Sequence, residues 1–302
     1  MPADTTPRLE VSFRSDDVDC RAWLFEPAYK SAGSAPLVIL GHGLGATREM
    51  GLAPYAKRFA AEGIAALAFT YRHFGDSGGL PRQLLDIRRQ LTDWASALRY
   101  ARSLPGIDPD RVAIWGSSFG GGHVIETAAR DGRVAAVVSQ CPFTDGPASI
   151  RTASPRALAM STALALRDEG ARLRGAPPVR VPLVGPPGSA ALMTAADAEP
   201  GFRALIPPDL EFDDSVAARI LLHVPRYRPG RAAARVTSPI LFCVCERDSV
   251  APAATTLRYA EQAPRAEIRR YPVGHFGIYS GNAFELVVVA DQTDFLARHL
   301  GV

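Results

Sequence analysis

Val112-Ala113-Ile114-Trp115-Gly116-Ser117-Ser118-Phe119-Gly120-Gly121-Gly122-His123-Val124-Ile125 runs from an apolar stretch, through a serine with a glycine two residues to either side, into a segment of helical spacing. A G-x-S-x-G pentapeptide alone is a weak signal. A buried strand before it and a helix after it give it weight. Val112–Trp115 reads as the strand, and Ser118 to about Arg130 as the helix. Such a turn holds its serine in a strained backbone with the hydroxyl exposed. Side chains two positions away would collide with neighbouring backbone, which explains the glycines. Ser117 is the rival, but centred there the flanking residues are Trp115 and Phe119, both too bulky. The nucleophile is read as Ser118.

Working upstream, Leu9–Phe13 and Ala22–Phe25 are strand-like runs around the polar turn Ser15–Asp19, an expected hairpin. Leu37–Leu40 and Ile64–Thr70 are apolar runs of the kind buried in parallel sheets. Thr47 is expected to cap a helix reaching about Glu62. A second helix fits Leu84 to Ser103, where Leu84, Ile87, Leu91, Trp94, Leu98 and Ala101 share one face and Leu104-Pro105-Gly106 ends it. Downstream, Val134–Ser139 is a further strand. This alternation predicts an α/β fold, a mostly parallel central sheet with helices on both faces. It breaks after Pro142, where the chain turns rich in Ala, Arg, Pro and Gly until about Arg235, with Ser215–Val224 expected as a helix inside. It then resumes with strand Ile240–Cys245, helix Ala253–Gln262, strand Glu267–Tyr271 and helix Ala283–His299. The expected organisation is a core from 1–143 and 236–302, with 144–235 inserted as a cap over the working edge of the sheet.

The composition suits a soluble enzyme. Of 302 residues 47% are apolar and 22% charged, and the formal charge of +3 is too small for a nucleic-acid surface. Lys30 and Lys57 are the only lysines, so arginine supplies nearly all the positive charge, and any one arginine says little. Met1–Glu10 is polar and lacks a signal-peptide pattern, and no run of about 18 apolar residues suggests a membrane span. Cys20, Cys141, Cys243 and Cys245 form no C-x-x-C pair and read as buried hydrophobes in a reducing cytosol. The expectation is a cytoplasmic protein with a small-molecule partner, neither nucleic acid nor membrane. Oligomeric state is not readable.

A serine needs a base, the base needs an acid, and the developing oxyanion needs two donors. Gly41-His42-Gly43-Leu44-Gly45 follows an apolar strand, and its glycines let backbone N–H groups turn inward. The donors are assigned to Leu44 and Phe119. Of six histidines, His275 stands in a loop between the last strand and the last helix, the edge where the nucleophile loop also lies. His42 is read as bracing its loop, His123 as packing behind the turn, His299 as solvated and His73 as lying near the edge. Asp248, three residues past strand Ile240–Cys245, is the acid, with Glu246 as runner-up and a helix cap as its bland alternative. Ser118, Asp248, His275 is the chain order expected when these groups meet at such an elbow.

With Gly41-His42-Gly43, Tyr71-Arg72, Gly75-Asp76-Ser77-Gly78, the Ser118 elbow, the Asp248 turn and Gly274-His275-Phe276 in hand, the chain resembles the α/β-hydrolase superfamily. It is most similar to the bacterial esterase and dienelactone-hydrolase-like branch, which shares features with X-prolyl dipeptidyl peptidases. Cys245 stands where relatives carry the glycine of G-x-x-D. The resemblance implies a hydrolase needing no cofactor and no metal, with its cap after the sixth strand. The expected reaction is cleavage of a carboxylic ester with a partly apolar substrate; a peptidase, a carbon–carbon bond hydrolase and a non-catalytic binding protein are the rivals. Cys141, Phe143 and Thr144 are expected on the pocket floor, and His223, Arg226 and Arg228 at its mouth, where an arginine would bind a substrate carboxylate.

Overall fold

Polar residues at Asp16-Asp17 turn the chain back on itself, pairing β1 (Arg8–Ser15) with β2 (Val18–Phe25) as an antiparallel hairpin. The computed structural model describes residues 8–29, 33–151 and 154–302. The core continues through β3 (Ala35–Gly41), α1 (Ala53–Ala61), β4 (Ala65–Phe69), α2 (Ile87–Ser103), β5 (Ile107–Ser117), α3 (Phe119–Asp131) and β6 (Val137–Gln140). The inserted segment carries α4 (Gly146–Ser149), α5 (Pro155–Leu173), β7 (Arg180–Pro182), α6 (Ala198–Arg203) and β8 (Ser215–Ala217), then three 3₁₀ turns over Ala218–Leu222, Val224–Arg226 and Pro229–Arg235. Then β9 (Ile240–Cys245), α7 (Ala253–Ala260), β10 (Ala266–Tyr271) and α8 (Glu285–Leu300) close the chain.

Eight strands form one sheet in the order β1-β2-β4-β3-β5-β6-β9-β10. Only β2 runs against the others, antiparallel to both β1 and β4, and the six strands from β4 to β10 run parallel. This mostly parallel sheet between helices is the α/β-hydrolase architecture. Alternation along the strands sends Leu37, Ile39, Leu67 and Ile114 to one face, and Val38, Leu40, Ala113 and Trp115 to the other. From β3 the chain moves toward β4 on one side, and from β5 toward β6 on the other. The C-terminal ends of β3 and β5 therefore flank a switch point, where such sheets leave a crevice for ligands.

Several expectations shift. The Thr47 cap is wrong: turns occupy the following residues, α1 starts at Ala53, and the Thr47 hydroxyl has no partner among the described residues. The helix expected from Leu84 begins at Ile87 because the Asp86 carboxylate caps it by accepting from the Arg89 N–H. Ser215–Val224 is not a helix. Its first three residues pair with β7, and the backbone N–H of Arg219 is taken by the Asp168 carboxylate. Conversely, α5 was not expected, although Ser154 caps it and Pro155 opens it. It buries only Ala157, Ala165, Asp168 and Ala171, so it shows no large apolar stripe. Among the described residues no helix is long and apolar enough to cross a membrane.

Asp168 ties the inserted segment together. Its fully buried carboxylate accepts from the Val179 and Arg219 N–H groups and from Nε and Nη2 of Arg219, at 2.7–2.9 Å. Asp168→Ala leaves a buried guanidinium unpaired, a loss of about 3–5 kcal/mol. The expected result is a lower Tm and faster proteolysis within residues 144–235. A variant as resistant as wild type would mean that the segment holds by apolar packing alone.

Candidate active site

The chain leaves β5 through Ser118, whose φ of 54° and ψ of −115° are strained for a serine. The strain persists because the turn has no slack. A Cβ on Gly116 would lie 2.2 Å from the Gly120 carbonyl oxygen, and one on Gly120 would lie 2.4 Å from that of His42. The Ser118 N–H donates to the Gln140 carbonyl and its own carbonyl accepts from Phe143, pinning both sides.

Three side chains from three strand ends meet here. His275 Nε2 lies 3.0 Å from Ser118 Oγ, and Nδ1 lies 2.7 Å from Asp248 Oδ2. The His275 and Asp248 side chains are 1% and 2% exposed, so water does not compete for these bonds. The other Asp248 oxygen accepts from the N–H groups of Val250 and Ala251, which fixes the carboxylate on its turn. The turn closes on Cys245, its carbonyl accepting from the Asp248 N–H. Burial pulls the His275 imidazole down, but the Asp248 carboxylate, helped by Cys141 and Asp197, outweighs it and raises the ring to about 9. The Nδ1–H is thus committed to a carboxylate and Nε2 to the serine hydroxyl. Such a pair can take a proton from Oγ and return it.

Phe119 opens α3, so the helix leaves its N–H unused. The loop of Gly41 to Gly45 approaches from the β3 side, where a Cβ on Gly43 would lie 3.1 Å from Ser118 Cβ. Leu44 lines the same pocket, together with Ala46, Met50, Leu52, Met193, Phe202, Leu205, Phe276 and Tyr279. The walls are apolar, and Met193, Phe202 and Leu205 come from the inserted segment. The open space is about 30 Å³, enough for two or three waters, since one needs about 10–15 Å³ of such space. A long side group would need more room than this, which the walls would have to give.

Of the expected pocket residues, none of Cys141, Phe143, Thr144, His223, Arg226 and Arg228 lines this space. Cys141 lies behind the elbow, its sulfur 3.7 Å from Ser117 Oγ and 3.6 Å from the Tyr279 hydroxyl. Phe143 packs on Phe119 and Tyr227, and the Thr144 hydroxyl meets that of Thr256. Arg228 is taken by Asp145 at 2.8 Å, Arg226 by the Leu222 carbonyl, and His223 is exposed between two 3₁₀ turns. The expected carboxylate clamp is therefore not there: the acid that meets Arg228 belongs to the chain itself. His123 is buried between Gln90 and the Tyr227 hydroxyl, His299 meets Glu267, and His73 lies near Arg89. His42 is buried and held at about 4, so it is neutral. Glu246 faces Arg270 on the surface, away from His275. Met50, Leu52, Phe276 and Tyr279 were missed. The only available signal was that loops beside the motifs carry large apolar side chains. Among the described residues no group of three His, Cys, Asp or Glu is placed to hold a metal ion.

Comparison with known proteins follows the same lines. A family model described as serine aminopeptidase, S33, matches residues 32–275. The quorum-quenching protein AidA of Acinetobacter baumannii is 54% identical over 290 residues, covering 96% of this chain and 94% of its own. The polyketide transferase grgF of a Penicillium species is 29% identical over 308 residues, 99% of each chain. The crystal structure of that α/β-hydrolase superposes with a TM-score of 0.83 at 27% identity, covering 98% of this chain and all of its own. A thiohydrolase, aneE, of Aspergillus aculeatus is 27% identical over 278 residues, 87% of this chain and 85% of its own.

Proposed function

The chain belongs to the serine aminopeptidase S33 family of α/β-hydrolases, and from that premise we propose that it is a serine hydrolase cleaving a carboxylic ester of a small or medium, partly apolar substrate. The observation that carries this is the unbroken hydrogen-bond chain from Asp248 through His275 to Ser118, opening on an apolar pocket. Ser118 Oγ attacks the carbonyl carbon as His275 Nε2 takes its proton. The oxyanion is met by the N–H groups of Leu44 and Phe119, and losing one such donor costs about 3–4 kcal/mol of barrier. The imidazolium, stabilised by Asp248, gives its proton to the leaving alcohol. Water then attacks the acyl-enzyme with the same base, releasing the acid and restoring Ser118.

One relative is named for quorum quenching, so signal molecules belong among the candidate substrates wherever they carry a carbonyl this serine could attack. A second reading, transfer of the acyl group to an acceptor other than water, draws on the relative named a polyketide transferase. Both readings use the same acyl-enzyme. The test is a panel of esters, lactones, thioesters, amides and β-diketones of graded chain length, with and without an alcohol acceptor, on wild type and Ser118→Ala. Release of free acid from esters by wild type alone supports hydrolysis. Dominant amide cleavage, or products appearing only with the acceptor, would replace it.

The pH dependence follows from the raised imidazole. A base acts only when neutral, and a ring held at about 9 is mostly protonated at neutral pH. We expect kcat/KM to rise with pH through a single transition displaced upward from the ordinary imidazole value of about 6.5, not at that value as an unperturbed ring would give. A pH–rate profile checks this, and a midpoint at or below the ordinary value would mean that burial outweighs Asp248. EDTA should leave the rate unchanged, because both His275 nitrogens already have partners.

A further inference from the structure

We propose that Asp197, at the head of α6, is a positioning residue that braces the loops of Asp248 and His275 while the inserted segment is closed; this rests on the serine-hydrolase reading above. One oxygen of Asp197 accepts from the Ser249 hydroxyl at 2.5 Å, the residue next to Asp248. The other lies against Gly274, next to His275, where a Cβ would stand only 3.2 Å from it. Further along the same helix, Gly201 lies flush on Phe276, since a Cβ there would be 2.4 Å from the ring. Phe202 and Leu205 then reach the pocket wall. One short element thus touches the neighbour of the acid, both neighbours of the base and the space the acyl group must enter.

The consequence is mechanical. With room for two or three waters, the pocket admits a longer acyl group only when a wall such as α6 shifts, and that shift loosens the contacts to Ser249, Gly274 and Phe276. Reseating α6 over a bound acyl group restores them. Substrate closure and orientation of the base are therefore one event, and a poorly fitting substrate leaves the base poorly held. Asp197 also carries charge. The groups facing the His275 ring are the Asp248 carboxylate, the Asp197 carboxylate, the Cys141 thiol, the Ser118 hydroxyl and the Tyr279 ring. Asp197 acts in the same sense as Asp248, favouring the protonated ring.

The test measures kcat, KM and the pH profile on one ester that wild type hydrolyses, for Asp197→Ala, Asp197→Asn, Asp197→Glu and Ser249→Ala. Asp197→Ala should lower kcat by roughly threefold to tenfold, the range of about one hydrogen bond, with a smaller change in KM. Ser249→Ala should lower kcat similarly without moving the pH midpoint. Asp197→Asn keeps an acceptor for Ser249 but loses the charge, so it should retain most of kcat and move the midpoint to lower pH at low ionic strength. That displacement should shrink in about 1 M salt, where exposed charges are screened. Asp197→Glu should keep the wild-type midpoint. Variants matching wild type in kcat and midpoint, or changes confined to KM, would overturn the proposal and leave α6 a plain pocket wall. A wild type that hydrolyses nothing on the panel, or a Ser118→Ala enzyme equally active, overturns the serine-hydrolase reading itself.

Discussion

Ser118→Ala is expected to remove nearly all hydrolysis, a fall in kcat on the order of a millionfold if the serine attacks covalently. Only one hydroxyl is lost, from a residue 7% exposed whose backbone is held by Gln140 and Phe143, so Tm should hardly move. Ser117→Ala is the matched control. Ser117 Oγ bonds the Tyr279 hydroxyl at 2.6 Å and accepts from Gln140 Nε2 at 3.1 Å, and neither partner is His275. Losing it leaves buried partners unsatisfied, at about 1–3 kcal/mol of stability, while the base and nucleophile stay in place. Labelling with a fluorophosphonate, read with Tm and kcat, separates the two. An inactive, unlabelled Ser117→Ala beside a reactive Ser118→Ala would place the nucleophile one residue earlier.

That contrast also shows what could be read before the structure. The Ser118 turn is a local device: a Cβ at either glycine would stand 2.2 or 2.4 Å from a backbone carbonyl oxygen, so nothing else fits there and the pattern survives as letters. Buried parallel strands leave equally plain traces, since β3 and β9 are apolar at nearly every position because both faces are covered. The pocket is different. Met50, Phe202 and Tyr279 meet only after more than two hundred residues of chain have folded, and any large apolar side chain would satisfy a local rule at each position. Charge misled for the same reason. Arg228 looked available for a substrate, but its partner Asp145 lies 83 residues away and no periodicity links them. The helix α5 was hidden because the residues it buries are alanines and one aspartate, and its ion pair to Arg219 spans 51 residues. Backbone-dictated chemistry is legible, and packing between distant segments is not.

Asp248→Asn is expected to lower kcat by roughly ten-thousandfold, the scale seen when such an acid becomes an amide. The reason is the tautomer. A carboxylate at 2.7 Å from Nδ1 requires the proton on that nitrogen and leaves the Nε2 lone pair facing Ser118 Oγ at 3.0 Å. An amide NH₂ in the same place would donate to Nδ1, push the proton to Nε2 and leave nothing to accept the serine proton. The backbone of the turn should survive, because the substituted amide keeps an oxygen for the Val250 and Ala251 N–H groups now held by Oδ1 of Asp248. Tm should therefore stay near wild type while activity collapses, and the residual pH transition should move to lower pH, since the charge that raised His275 is gone. Glu246→Gln is the control. Its carboxylate is 38% exposed and sits 3.0 Å from Arg270, a surface pair worth about 0–1 kcal/mol, so kcat should be unchanged. If Glu246→Gln loses activity and Asp248→Asn keeps it, the acid is Glu246, and the loop must rearrange from the geometry seen here before it can act.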